Sequence, residues 1–167
     1  LTPMGFNDLF CLSHPQVHTL SIGASKPSDF DAHLEILPHV ATAAETIAPI
    51  EARLRSALIE AWGQEWIDGW EATIPRYEMM PGQVNVYQIL RLYTLAKGLD
   101  MDAYAKMRYN MLGSGGHWFP GFKVDVMEWG KLGAALKDSP FADRIPDILR
   151  EAHESLDAEA QKRLSES

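Results

Sequence analysis

The stretch from Ser21 to Leu34, SIGASKPSDFDAHL, is where this sequence comes closest to chemistry. Val17, Thr19 and Ser21 alternate with His18, Leu20 and Ile22, which predicts a short buried strand over 17–22 ending at Gly23. Ser28 then caps a predicted helix that runs to about Leu37, ahead of Pro38. A glycine turn leading into a helix presents backbone N–H groups and the positive end of the helix dipole. Lys26 adds a charge. Gly23, Ala24, Ser25 and Lys26 therefore form a candidate phosphate site. The same junction also recurs throughout α/β proteins without any ligand.

The other reactive residue types are scattered. Cys11 falls on the apolar face of a predicted helix and reads as an inert buried thiol. His14, His18, His33, His39 and His153 show no metal-ligand spacing such as HExxH. His117 sits in Gly-Gly-His-Trp-Phe-Pro-Gly with no carboxylate or cysteine partner apparent in sequence, and reads as part of a packed loop; the alternative is a loop over a partner or over the barrel mouth. Arg91, Arg108 and Tyr109 lie on predicted helices, where Asp100, Asp102 or Asp125 can pair with them; the other reading is an anion site. Met79, Met80, Met101, Met107 and Met111 read as core filling.

The elements that must carry these residues are nearly all helical. FNDLFCLS (6–13) has helical apolar spacing and ends at His14-Pro15. Thr42 and Glu45 have capping-box spacing, and IEARLRSALIEAW (50–62) presents one apolar face. WGQEWIDGW places three tryptophans in nine residues. Pro81-Gly82 predicts a turn. VNVYQILRLYTLAKGL predicts a helix through Leu99, and Asp100 is expected to cap the next one, MDAYAKMRYNML. GSGGHWFPG is a loop, and helices follow near 125–137 and 143–165, with Pro146 early in the second. The fold class expected is mainly α, with a single βα unit ahead of a helical domain. One strand cannot make a sheet, and a complete α/β barrel needs about 250 residues.

Composition narrows the function classes. The chain has 167 residues, 46% hydrophobic and 23% charged, with net charge −8. Phosphate-backbone binding needs clustered Lys and Arg, so a broad nucleic-acid surface is not expected. No apolar run approaches the roughly 20 residues needed to cross a bilayer, and no signal peptide is visible. With one cysteine there is no internal disulfide, and a reducing cytoplasmic setting is the default expectation. Leu1-Thr2-Pro3-Met4-Gly5 reads as the interior of a longer protein, and the charged 157–167 tail is expected to fray.

From Phe6 to Leu34 the order is helix, His14-Pro15, strand, then Gly23-Ala24-Ser25. This resembles the last-strand signature of the aldo/keto reductase family. The resemblance implies that residues 1–40 are the C-terminal remnant of a TIM barrel. It also implies that Gly23, Ala24, Ser25 and Lys26 contact the phosphates of NADP(H). Asp29 and His33 fall where the family more often has other residues, at its adenine and ribose contacts. The catalytic tetrad of that family lies on earlier strands, and nothing in this chain stands in for it.

Beyond residue 41 the chain resembles a helical extension carried by one subgroup of the family, itself built like a two-cluster ferredoxin. Trp70, Thr73, Arg76 and Met80 hold the C-x2-C-x2-C-x3-C spacing, with Met80-Pro81-Gly82 in place of Cys-Pro-Gly. Leu132, Ala135 and Ser139-Pro140 hold the C-x2-C-x3-C-P spacing. None of these positions is cysteine, and a 4Fe–4S cluster needs four thiolates. The resemblance therefore implies a scaffold without iron–sulfur clusters. Trp62, Trp66, Trp70, Tyr77, Met79, Met80, Trp118 and Phe119 are expected to fill it.

The organisation expected is a barrel remnant over 1–40, a connecting helix over 41–60 and a cluster-less ferredoxin-like domain over 61–167. The function implied is that of a C-terminal portion of an NADP-dependent carbonyl or alcohol oxidoreductase, not catalytically competent alone. The alternative is a helical interaction, assembly or lid module without enzymatic role. The partners implied are the rest of the barrel and a second copy through the remnant strand.

Overall fold

In a computed structural model, the described residues are 1–114 and 120–158. They are mainly helical and contain no sheet, only an isolated parallel bridge between Val84 and Phe122. The chain divides into two compact units, Leu1–Arg55 and Ser56–Ser167.

The first unit begins with α1 (Pro3–Leu12), whose Thr2 hydroxyl caps it by accepting from Gly5 N at 3.0 Å. Its second helix, α2 (Pro27–Leu34), starts with proline, which loses no hydrogen bond in the first helical turn. A 3-10 turn over Leu37–Thr42 leads into α3 (Ala43–Trp62). The unit boundary falls inside α3, which runs on through Pro49. Leu9, Ile36, Ala43 and Ile47 form a small buried cluster, with Phe6, Leu12 and Val40 packed against it.

Residues 17–22 form no strand, contrary to the expectation of a βα unit. An extended segment needs a neighbour to take its N–H and C=O groups. The described residues offer none, so the segment stays irregular after a turn in which Val17 N donates to the His14 carbonyl at 2.9 Å. The strand expected over 17–22 is therefore absent among the described residues.

The second unit holds the larger core. After α4 (Gln64–Gly69), 3-10 turns over Glu71–Thr73, Tyr77–Met79 and Pro81–Gln83 lead to α5 (Val86–Leu99). Asn85 caps α5 by accepting from Gln88 N at 3.1 Å, and its amide donates to the Pro120 carbonyl at 2.6 Å. Gly82 has φ 67°, and a Cβ there would lie 2.2 Å from the Val126 carbonyl oxygen, so only glycine fits this turn. Asp100 does not open the next helix as expected. It closes α5 in the left-handed conformation at φ 54°, a place that Asp tolerates better than most residues. Met101 precedes α6 (Asp102–Tyr109) instead.

A 3-10 turn over Val124–Val126 precedes α7 (Trp129–Ala135), and α8 (Ile145–Leu156) follows. The last helix buries Ile145, Ile148, Leu149, Ala152 and Leu156, the i, i+3, i+4, i+7 stripe of an amphipathic helix, against α5 and α6. It ends at Leu156 rather than near residue 165, and residues 159–167 lie outside the described residues.

Candidate functional site

The predicted phosphate loop lies at the start of α2. Gly23, Ala24, Ser25 and Lys26 are all exposed. The Asp29 carboxylate turns back and accepts from Ser25 N at 2.9 Å and from Lys26 N at 3.2 Å. These are the backbone donors an anion would use. An incoming phosphate must therefore displace Asp29 before it can take them.

His33 points elsewhere. Its Nδ1 lies 2.5 Å from Asp8 Oδ2, and both side chains are only 10% exposed. Nε2 is buried without a hydrogen-bond partner. The ring lines an apolar cleft of about 390 Å3 together with Leu12, Leu20, Ile22, Phe30, Leu34 and Leu37. The structure therefore separates the proposed cofactor residues into two groups. Asp29 joins the loop, whereas His33 joins the cleft. Asp8, which orients His33, lies 25 residues away in sequence and carried no signal of its own.

In the second unit the two runs with cysteine spacing come together. The Thr73 hydroxyl sits 2.9 Å from the Ser139 hydroxyl, and also donates to the Trp70 carbonyl at 2.9 Å. Each hydroxyl has one proton. Thr73 spends its own on Trp70, so Ser139 donates to Thr73, and Ser139 Oγ accepts from Phe141 N at 3.3 Å. Trp70, Met80 and Leu132 are buried in one continuous core, and the Pro81–Gln83 turn packs on α7. Arg76 is not drawn in: it is exposed and pairs with Glu78 at 2.9 Å. That pairing raises the Arg76 pKa and lowers that of Glu78 through their hydrogen bond.

Aromatic side chains fill the space beside this junction. Trp62, Trp66 and Trp70, spaced i, i+4 and i+8, stack at 5.4 and 5.6 Å between ring centres. Both indole N–H groups nearest α5 end on Thr94: Trp62 donates to its carbonyl at 3.1 Å and Trp66 to its hydroxyl at 3.3 Å. The Arg144 guanidinium lies 4.8 Å from the Trp66 ring centre and 5.4 Å from that of Trp62. A wide open groove of about 980 Å3 runs past these rings, with Glu65, Asp68 and Asp143 on its wall. The three tryptophans were legible from their spacing. Thr94 and Arg144 were not, because neither is near them in sequence. Of the expected fillers, Met80 is buried, but Met79 is 73% exposed and is corrected to a surface residue. Trp118 and Phe119, like His117, lie outside the described residues.

Tyr109 is wholly buried and hydrogen-bonds His153 Nδ1 at 2.6 Å, while its oxygen accepts from Val124 N at 3.3 Å. Burial pushes its pKa well above the usual tyrosine value. Through these two hydrogen bonds the phenol ties Val124 to α8. Arg108 lies over the Tyr104 ring at 5.5 Å.

Among the described residues no three His, Cys, Asp or Glu side chains are placed to hold a metal ion, and no helix is long and apolar enough to cross a membrane. Comparison of the chain with protein-family models, with curated proteins and with solved structures finds no match in any of the three.

Proposed function

We propose that this chain is the C-terminal portion of an NADP-dependent aldo/keto reductase, contributing part of a cofactor pocket and a helical domain, and inactive alone. The helical domain keeps the frame of a two-cluster ferredoxin and has exchanged its cluster ligands for apolar, aromatic and hydroxyl groups and, at Arg76, a surface guanidinium. The meeting of Thr73 with Ser139 carries this reading. In two-cluster ferredoxins the fourth ligand of one cysteine run serves the cluster held by the other run, so the runs must cross in space. Thr73 belongs to the first run and Ser139 closes the second, 66 residues later. Electron transfer through iron–sulfur clusters is no part of the proposed role.

The test is titration of the chain with NADPH alongside an assay of carbonyl reduction. No turnover is expected. Robust reduction by this chain alone would overturn the proposal. The alternative, an interaction module, calls for an exposed apolar patch over residues 83–121. Among the described residues there, Tyr104 is the one large hydrophobic side chain that is exposed. That observation favours a domain that packs upon itself.

A further inference from the structure

We propose that a pocket in the second unit, walled by the end of α3, the last turn of α5 and the first two turns of α8, binds a free α-amino acid with an aliphatic side chain. Lys97 and Arg144 take its carboxylate, and Asp147 and Glu151 its ammonium group. None of these residues enters the nucleotide reading, so the two stand or fall separately.

The pocket holds about 310 Å3, at the small end of the roughly 300–1,000 Å3 typical of small-molecule sites. Lys97 and Arg144 share its wall with Asp147 and Glu151, two charges of each sign. All four side chains belong to exposed residues, so a solute reaches them. Among the described residues, however, neither cation forms an ion pair. Of the four only Asp147 is paired, with Arg150 at 2.7 Å, outside the pocket.

Aromatic side chains hold the charges apart. Lys97 Nζ lies 5.5 Å from the centre of the Tyr93 ring, and the Tyr93 hydroxyl donates to Glu151 Oε2 at 3.2 Å. The Arg144 guanidinium stacks on Trp62 and Trp66, and its Nη1 donates to the Trp62 carbonyl at 3.3 Å. Trp62 and Tyr93 meet edge to face, with ring centres 5.8 Å apart. One aromatic pair thus positions both cations and one carboxylate, while most of the Arg144 fork and Glu151 Oε1 keep their hydrogen-bonding capacity.

The signs of the charges select the ligand. An inorganic anion would satisfy the two cations and crowd the two carboxylates, and a simple amine would do the reverse. A zwitterion satisfies both signs through charge-assisted hydrogen bonds, the stronger kind. A peptide carries its two charges at opposite ends of the chain, whereas a free amino acid carries them on one carbon and suits the small volume. Ala61, Trp62 and Ile148 complete the wall and favour an aliphatic side chain.

The matched probes are L-leucine, N-acetyl-L-leucine, which lacks the ammonium group, and L-leucinamide, which lacks the carboxylate. Each is titrated into the full chain at slightly acidic pH and followed by NMR on the indole N–H of Trp62, a residue of the pocket wall. Saturable binding of leucine is expected, about tenfold tighter than that of either capped form. Lys97→Met should shrink the preference for leucine over leucinamide and leave that over N-acetyl-leucine. Glu151→Gln, which keeps an acceptor for Tyr93, should do the opposite. No saturable binding of leucine, equal affinities for the three probes, or variants that shift both preferences alike would each overturn the proposal. Far-UV circular dichroism checks that the variants fold; should either unfold, the three probes on the unaltered chain decide the matter alone.

Discussion

The hydroxyl chain that joins the two spaced runs can be dissected by a double-mutant cycle. Thr73→Val keeps the shape of the side chain and removes its hydroxyl. It deletes the bond to the Trp70 carbonyl and the bond from Ser139, both 2.9 Å. At about 0.5–1.5 kcal/mol net per bond, the loss is roughly 1–3 kcal/mol. Ser139→Ala deletes the same shared bond and the longer one from Phe141 N, at 3.3 Å, so about 1–2 kcal/mol is expected. The double variant loses the shared bond only once. It should therefore fall short of the sum of the single losses by about 1 kcal/mol, the scale of a direct contact pair. Urea unfolding followed by far-UV circular dichroism gives all four stabilities. Single losses that add to within about 0.3 kcal/mol would mean the two hydroxyls are uncoupled, and the crossing of the runs would lose its support.

Three further outcomes follow from the same geometry. With Cys11→Ala as background, Thr73→Cys and Ser139→Cys together should form a disulfide under mild oxidation, because their γ atoms already lie 2.9 Å apart; intact mass with and without reductant reads it, and a persistently free thiol pair would contradict the placement. Gly82→Ala should lower the stability by at least about 2 kcal/mol in thermal unfolding, since the left-handed backbone and the Val126 carbonyl both oppose a Cβ. The pKa of Tyr93 is pushed up to about 12 by burial first and by the nearby Glu151 carboxylate second. Its folded pKa is raised, so its stabilising contribution is complete below the unfolded value near 10 and is lost as pH climbs through about 12. Tyr93→Phe should flatten the fall in stability across that window; an unchanged pH profile would show that Tyr93 does not drive it.

The helices were legible because their apolar residues recur at 3.6-residue spacing. Ile145, Ile148, Leu149, Ala152 and Leu156 mark α8 in the sequence and are the residues it buries. The three tryptophans within nine residues were equally visible, although the helix breaks at Gly63 between Trp62 and Trp66. The Pro81-Gly82 turn needs only its own two residues, and the structure places a left-handed glycine there. Periodicity failed at residues 17–22. Alternation is necessary for a strand but not sufficient, since strand hydrogen bonds belong to a neighbour. Capping chemistry misled at Asp100, whose side chain suits either a helix start or a left-handed helix end.

What the sequence by itself determined is the mainly helical class, the stripes that face the core, and the lack of enough thiolates for a cluster. Those properties depend on residue type and local spacing. Only the tertiary structure decided which polar groups meet. Asp8 with His33, Thr73 with Ser139 and Tyr109 with His153 are separated by 25, 66 and 44 residues, and Thr94 lies 32 and 28 residues from its two indoles. A hydrogen bond requires two atoms within about 3 Å, and no one-dimensional pattern encodes that distance across a chain that folds back on itself. The same holds for the Gly23–Lys26 loop. Its residue types suit an anion, but whether its N–H groups are open to one is decided by where Asp29 turns its carboxylate.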